Sequence, residues 1–234
     1  DRSIVKTYTF DDPELGQIRY VDRKRYLWLL SVLFPLVPLI GMGLMLKSGA
    51  EWTLWIPLAL VYLGIPLLDY IFPNDASNPP EQIVPQLEQD LYYRVLNYLT
   101  VPLHFVILVL GAWFVASQGL SWSGLLALSL MVGAISGFGI NTGHELGHKK
   151  NTADQVAARL VLAVPFYGHF AIEHTAGHHG QVETPEDSAS SRFGENIYRF
   201  AGREIPGGLK RAWRLEKNRL QRRGFGAWSW RNEI

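Results

Sequence analysis

Residues 122–150 read WSGLLALSLMVGAISGFGINTGHELGHKK, in which twenty-two residues without a charged side chain run directly into two histidines four positions apart. About twenty apolar residues, at a rise of about 1.5 Å per residue, cross a hydrocarbon core of roughly 30 Å. The stretch therefore predicts a membrane-spanning helix that carries imidazole groups at one end.

Three similar apolar runs precede this one, at 27–46, 52–72 and 95–116, and Asp69 is their only formal charge. Hydrophobic residues make up 48% of the chain and charged residues 18%, against about 25% charged in an ordinary soluble domain. Four such runs leave too little polar surface to cover them in water. The composition thus excludes a disordered chain and argues strongly against a soluble domain.

A fifth apolar stretch, 156–172, contains Arg159, Pro165 and His169. If it crossed the membrane, the basic segment after it would lie outside, so we expect a re-entrant or interfacial element instead. The predicted fold class is an all-α integral membrane protein with four transmembrane helices, this element and cytoplasmic helices. Within 202–208, a proline flanked by glycines predicts a hinge between two of those cytoplasmic helices.

The distribution of lysine and arginine predicts the orientation of the chain in the membrane. Arg19, Arg23, Lys24 and Arg25 stand before the first run and only Lys47 follows it, which places the N-terminus in the cytoplasm by the positive-inside rule. Four crossings then return the histidines after the fourth run to the same side.

We expect two functional regions. Residues 1–143 form an N-terminal arm and a four-span membrane region, and residues 144–234 form a cytoplasmic-face catalytic region that is incomplete at its C-terminus. The segment 188–234 holds eleven of the twenty-two lysines and arginines against four acidic residues.

Five of the seven histidines fall into two clusters: His144 with His148, and His174 with His178 and His179. Side chains four apart leave the same helix face, so each pair can meet one metal ion. Neutral imidazoles suit iron, zinc, copper or nickel rather than magnesium or calcium, and two metals share five donors better than one. The chain has no cysteine, which excludes iron–sulfur clusters and thiolate zinc sites.

The other candidate site residues have weaker signals. Glu145, Glu173 and Asp187 lie near the histidines and are interpreted as acceptors for imidazole N–H groups, although helix capping explains Asp187 equally well. His104, inside the third run, is interpreted as a packed or channel-lining residue, and His169 as a residue that either supports the metal ligands or has a structural role.

Two other classes of function stay open. HELGH at 144–148 fits the HExxH helix of zinc metalloproteases, with Glu145 as the general base. A metal transporter is the second alternative, but transporters usually bind substrate near the bilayer midplane, where only His104 is expected.

The motifs resemble one family in particular. NTGHELGHKK at 141–150, EHTAGHH at 173–179, GQVETPEDSASSR at 180–192 and SNPPE at 77–81 are similar to the integral-membrane alkane 1-monooxygenases, and the similarity covers essentially the whole chain. It implies terminal hydroxylation of n-alkanes by a centre of two non-haem irons, with O₂ as co-substrate and electrons from rubredoxin. The five clustered histidines match the first two histidine boxes of that family.

The family carries further histidine boxes that are not found in this chain, so we expect additional iron ligands in a longer polypeptide. Membrane fatty-acyl desaturases and hydroxylases share boxes of this kind and are the nearest alternative; the HELGHKK sequence argues against them.

The resemblance also implies a location and partners. The inner membrane of a bacterium would hold the protein, the alkane would enter from the bilayer, and no nucleic-acid partner is expected. Rubredoxin is typically acidic, so we assign its docking to basic residues after the second histidine cluster, with contact to anionic membrane lipid as the alternative. These residues are Lys210, Arg211, Arg214, Arg222 and Arg223.

Overall fold

The computed structural model describes residues 5–72, 75, 77–178, 180, 184 and 187–234, and this part of the chain is mostly helical. It forms two compact units, Asp1–Phe138 and Gly139–Ile234. The division predicted at residue 143 separates a membrane region from a catalytic region, which is a division by function. It stays a prediction. The helices are α1 Arg25–Leu36, α2 Pro38–Ser48, α3 Glu51–Ile71, α4 Val84–Gln89, α5 Leu91–Gln118, α6 Trp122–Gly147, α7 Thr152–Ala163, α8 Phe170–Ile172 and α9 Ile197–Arg222.

Three helices are long and apolar enough to cross a membrane: α3, α5 and α6. The first apolar run gives α1 and α2, which pass the same test together but are bent by 53°. Pro38 opens α2, and because its ring blocks the preceding turn and it has no N–H to donate, the helix changes direction there. The described residues therefore contain three to four candidate spans, where the sequence predicts four.

The packed interior of the first unit lies where α2, α3, α5 and α6 meet. Leu54, Ile107, Phe114 and Met131 are almost completely buried there. The outward faces of the same helices remain exposed and apolar, as expected for helices that face lipid.

The N-terminal arm corrects the all-α prediction, because it forms a β-hairpin. Strand β1, Lys6–Asp12, pairs antiparallel with β2, Gly16–Asp22, so that Tyr8 lies opposite Tyr20. The turn closes when Asp12 accepts hydrogen bonds from the amides of Glu14 and Leu15 and Gly16 takes a φ of 73°, a left-handed conformation that favours glycine. Alternating aromatic and β-branched residues indicate such strands.

The hairpin is fixed to the start of α5 by Asp90. Arg25 donates to both Asp90 oxygens at 2.9 and 3.0 Å, Lys6 binds at 2.6 Å, and the Tyr8 hydroxyl donates to the same carboxylate. Asp90 also caps α5 by accepting from the Tyr92 amide. The hydrogen bonds from Arg25 hold the pKa of Asp90 far below its usual range, whereas burial raises the pKa of Tyr8 to about 12.

The predicted re-entrant or interfacial stretch divides into α7 and α8. Helix α7 has twelve residues, which is about 18 Å at the α-helical rise and too short to cross the hydrocarbon core alone. The chain then turns at Phe166, which has a φ of 57°, and the Tyr167 amide donates to the Leu162 carbonyl. Helix α8 continues through a π-helical turn, Glu173–His178, which carries the second histidine cluster.

The hinge predicted at 202–208 is wrong, because α9 runs without interruption through Pro206. The neighbouring glycines serve close packing instead. A Cβ at Gly207 would lie 2.8 Å from the Cβ of Ser188, and Gly208 is buried against Glu173. Contacts with Ser188 and Glu173 thus accompany a helix that continues through a proline that sequence rules treat as a break.

Candidate metal centre

The first two histidines leave the last turn of α6 on one side. His144 and His148 are four residues apart, and the His148 amide donates to the His144 carbonyl at 3.2 Å. Their Nε2 atoms are 3.1 Å apart, with the rings arranged edge to face. The spacing read from the sequence therefore produces a pair of converging imidazoles, as expected for positions i and i+4.

His174, in the π-helical turn, completes a cluster of three imidazoles. Its Nε2 lies 3.2 Å from the Nε2 of His148, and the ligand atoms of the three histidines all lie within 4.8 Å of one another. The ring of His174 stacks on Phe170 with centroids 4.8 Å apart, which fixes its plane. Two helical segments from different parts of the second unit thus present their nitrogen atoms to one point.

The arrangement fits a transition metal. Two nitrogens bound to one ion at about 2.1 Å, with an angle between 90° and 110°, lie about 3.0–3.4 Å apart. The Nε2 separations of 3.1 Å (His144–His148) and 3.2 Å (His148–His174) fall in that interval. Three nitrogen donors suit iron, zinc, copper or nickel, so the geometry accepts a metal without selecting among these four.

His178 lies beside this cluster. Its ring stacks on that of His174 with centroids 5.4 Å apart, and its Nδ1 is 2.9 Å from Oδ2 of Asp187. A neutral imidazole that donates from Nδ1 keeps its lone pair on Nε2, the atom that would then bind a metal. His179, the fifth predicted ligand, lies outside the described residues.

Asp187 is almost completely buried and accepts four hydrogen bonds that the structure defines. The donors are His178, the Ser190 hydroxyl at 2.6 Å, the Ala189 amide at 3.0 Å and Arg211 at 3.1 Å. Burial by itself would raise the pKa of Asp187, but the hydrogen bonds outweigh burial and hold the pKa below its usual range. The contact with His178 is compatible with the acceptor role predicted for Asp187, which stays a prediction.

The other two predicted acceptors behave differently. Glu145 is exposed and its Oε1 is 3.6 Å from Nδ1 of His144, too far for a hydrogen bond. Glu173 is buried, and its Oε1 pairs with Arg211 at 3.3 Å rather than with a histidine in any contact that the structure defines. Burial raises the pKa of Glu173 more than the Arg211 charge lowers it.

His104 and His169 are not members of the group of three imidazoles. His104 is buried in α5 of the first unit, and its Nδ1 has no hydrogen-bond partner among the described residues. His169 packs edge-on against Tyr167 with centroids 4.5 Å apart, and burial lowers its pKa. Neither position contradicts the structural roles expected of them.

One of the five residues predicted to form the docking surface is buried. Arg211 is 4% exposed, because its guanidinium lies against Asp187 and Glu173, so it is unavailable to a partner protein. Lys210, Arg214, Arg222 and Arg223 are exposed. Glu216, the acidic residue of this stretch, is buried and held by Arg219 at 2.5 Å, which leaves the exposed face strongly basic.

Sequence reasoning missed Arg211 as part of the site. A basic residue in a basic helix has no feature that separates a buried cation from exposed ones. The available signal was Gly177, between the two histidines of the π-helical turn, because a glycine there indicates the close approach of another group.

The chain is similar to several characterised proteins. A family model described as fatty acid desaturase matches residues 120–234. Alkane 1-monooxygenase 1 of Alcanivorax borkumensis is 54% identical, over 92% of this chain and 53% of its own length. The alkane 1-monooxygenases of Ectopseudomonas oleovorans and Pseudomonas putida are 54% and 52% identical, each over 92% of this chain and 54% of the relative. The chain thus spans about half the length of the curated relatives it matches.

Proposed function

Because this chain is homologous to the alkane 1-monooxygenases over about nine-tenths of its length, we propose that it provides the first histidine boxes of a membrane di-iron monooxygenase. The reaction is hydroxylation of the terminal methyl of n-alkanes to 1-alkanols, with O₂ as co-substrate and rubredoxin as electron donor. The observation that carries this proposal is the convergence of three imidazole nitrogens at the end of an apolar candidate span.

In this proposal, residues of this chain bind the metal. His144, His148, His174 and His178, with His179, are the proposed iron ligands, and further ligands come from elsewhere in the complete polypeptide. When bound, the two irons supply the activation of O₂ that an unactivated methyl C–H bond requires, since side chains alone do not break such a bond. Asp187 keeps the Nδ1 proton on His178 and thereby leaves the imidazole lone pair on Nε2.

The position of the cluster suits a substrate dissolved in the bilayer. His144 lies at the end of α6, whose preceding residues are apolar and are expected to lie in hydrocarbon. An alkane partitions into that layer and can approach the metal along apolar side chains with its terminal carbon first. The protein does not need an aqueous route for this substrate.

A related desaturase or hydroxylase acting on fatty-acyl chains is the second candidate, and the match of residues 120–234 to the fatty acid desaturase model favours it. The overall similarity to alkane 1-monooxygenases favours the first. The products separate them, because only the first candidate converts an n-alkane into a 1-alkanol.

Metal analysis tests the proposal directly. The purified full-length protein is expected to contain about two irons per polypeptide and to form 1-octanol from n-octane only when O₂ and a reductant chain are supplied. His144, Glu145 and His148 also fit a zinc protease, and the same measurement decides between the two. One zinc per polypeptide with O₂-independent peptide cleavage would contradict the oxygenase.

We also propose that the N-terminus and the metal centre face the cytoplasm, from the inner membrane of a bacterium. A topology reporter joined after Ile172 is therefore expected to give the cytoplasmic signal, since the basic segment that follows resists translocation. A reporter joined after Gly119, in the turn between α5 and α6, serves as the control with the opposite signal. A periplasmic signal after Ile172 would separate the two histidine clusters and contradict the proposed centre.

We propose that Lys210, Arg214, Arg222 and Arg223, the exposed residues of the predicted docking surface, attract an acidic rubredoxin. Reversing Arg222 and Arg223 to Glu is expected to raise the apparent KM for rubredoxin several-fold at low salt, with a smaller difference at high salt, because long-range attraction acts on association and is screened. Iron content is expected to stay unchanged, and both properties are measured on the same preparation.

The matched control reverses Arg192, which precedes α9, and Arg199, in the first turn of α9; both are exposed, lie outside the predicted docking residues and give the same change of net charge. An equal KM increase in both double variants would indicate a net-charge effect. An unchanged KM and salt dependence in the Arg222 and Arg223 variant would place rubredoxin docking elsewhere and leave lipid contact for these residues.

A further inference from the structure

A buried cation lies behind the proposed ligands. The guanidinium of Arg211 lies between two buried carboxylates, with Nη1 at 3.1 Å from Oδ1 of Asp187 and 3.3 Å from Oε1 of Glu173. Asp187 uses its other oxygen to contact Nδ1 of His178 at 2.9 Å. Arg211 is therefore separated from a proposed iron ligand by a single carboxylate.

The backbone of the ligand turn makes room for this arginine. A Cβ at Gly177 would lie 2.7 Å from Cδ of Arg211 and 3.2 Å from Cδ1 of Leu215. Gly177 directly precedes His178, so the aliphatic part of Arg211 crosses the chain where only a glycine permits it. The position of the arginine and the position of the histidine are thus set by the same contact.

Stability is a weak explanation for such a group. Removing an arginine and two carboxylates from water is costly, and well-packed apolar residues of similar volume often stabilise a protein as well or better. Asp187 is in addition held by Ser190 and by the Ala189 amide, so its place in the fold does not require Arg211. What the guanidinium adds is positive charge beside two buried carboxylates.

We propose that Arg211 is a positioning residue for His178, acting through Asp187. Its charge keeps the Asp187 carboxylate a strong, fixed acceptor, so that His178 holds its proton on Nδ1 and presents the Nε2 lone pair to the metal. Without Arg211, the two buried carboxylates of Asp187 and Glu173 lose the guanidinium that lies against both of them, and the acceptor for Nδ1–H loses its support. The proposal rests on the proposed function, because it assumes that His178 binds iron.

The test measures metal affinity and imidazole tautomer in the full-length membrane protein without iron. Arg211→Met is expected to weaken binding of Co²⁺, used as the probe, by about 10–100-fold, the usual cost of removing an outer-shell partner. Nitrogen-15 NMR of histidine-labelled protein is expected to show His178 leaving the Nδ1–H form. Arg211→Lys keeps the charge and is expected to recover most of both signals.

Arg214→Met is the matched control, since Arg214 is an exposed arginine one turn further along α9. It is expected to change neither signal. If Arg211→Met fails to fold, Gly177→Ala decides, because its added Cβ displaces Arg211 without removing any charge. A loss of Co²⁺ affinity in Gly177→Ala, with His178 leaving the Nδ1–H form, supports the proposal.

Unchanged affinity together with an unchanged His178 tautomer, in whichever of these variants folds, overturns the proposal. That result would leave the proposed function intact, provided that the wild type contains iron and hydroxylates alkanes. Conversely, a wild type that forms no alkanol while Arg211→Met still shifts the His178 tautomer would reject the function and keep the positioning role.

Discussion

The His148→Ala variant is expected to lose alkane hydroxylation to below about 1% of wild type and to lose bound iron with it. His148 is the central member of the cluster, since its Nε2 lies 3.1 Å from that of His144 and 3.2 Å from that of His174. Losing an outer-shell partner already costs about 10–100-fold, so losing a direct ligand costs more. Iron is measured by elemental analysis and 1-octanol by gas chromatography.

Three further variants are compared with His148→Ala. His178→Ala changes a second proposed ligand, and Glu145→Gln and His169→Ala are controls. His178→Ala is also expected to lower iron, whereas Glu145→Gln changes an exposed side chain that makes no hydrogen bond to His144 and is expected to retain it. His169→Ala removes a buried ring outside the cluster, so protein yield falls while iron per folded molecule stays. Equal iron loss in His148→Ala and His169→Ala would refute the ligand assignment.

The Asp90→Ala variant is expected to show the largest loss of stability, about 2–4 kcal/mol, seen as a lower Tm in detergent. The substitution leaves the Arg25 guanidinium without the carboxylate that binds it at both nitrogens, and it removes the cap of α5. Asp75→Ala is the matched control, because the Asp75–Lys24 pair is exposed and is expected to contribute at most about 1 kcal/mol.

The pH dependence of the Asp90 effect has a definite sign. Folding lowers the pKa of Asp90, so the folded state is stabilised wherever the unfolded carboxyl is ionised. The Tm difference between wild type and Asp90→Ala is therefore expected to be constant above about pH 5 and to shrink as pH falls below about 4. A Tm difference that stays unchanged below about pH 4 would show that the Arg25–Asp90 pair is not the source of the stability.

The parts of the molecule that the sequence predicts well are those that depend on neighbours along the chain. Apolar run length indicated the candidate spans at α3, α5 and α6, and the four-residue spacing placed His144 and His148 on one side of α6. Both depend only on the helical repeat. A pattern of this kind is readable without knowledge of the tertiary structure.

The features that were missed depend on contacts between distant residues. Arg211 is twenty-four positions from Asp187, and no local pattern pairs them. The hinge predicted around Pro206 failed because Ser188 and Glu173 pack against the neighbouring glycines. Tertiary contacts can outweigh a local preference against helix of about 3 kcal/mol. The N-terminal hairpin was overlooked for another reason. Its signal in the sequence is the alternation of residue types along each strand, and this signal is weaker than that of the four apolar runs.

The π-helical turn at Glu173–His178 makes the second histidine cluster sensitive to chain length. Deleting one residue between His174 and His178 would replace this wide turn by a tighter one and rotate His178 and the chain after it about the helix axis, which changes the position of the later ring relative to the earlier one. Insertions and deletions should therefore be excluded from this segment in descendants that keep the activity, while Thr175 and Ala176, whose side chains are exposed, are free to vary. Natural selection would then act there on the number of residues more strongly than on their identity.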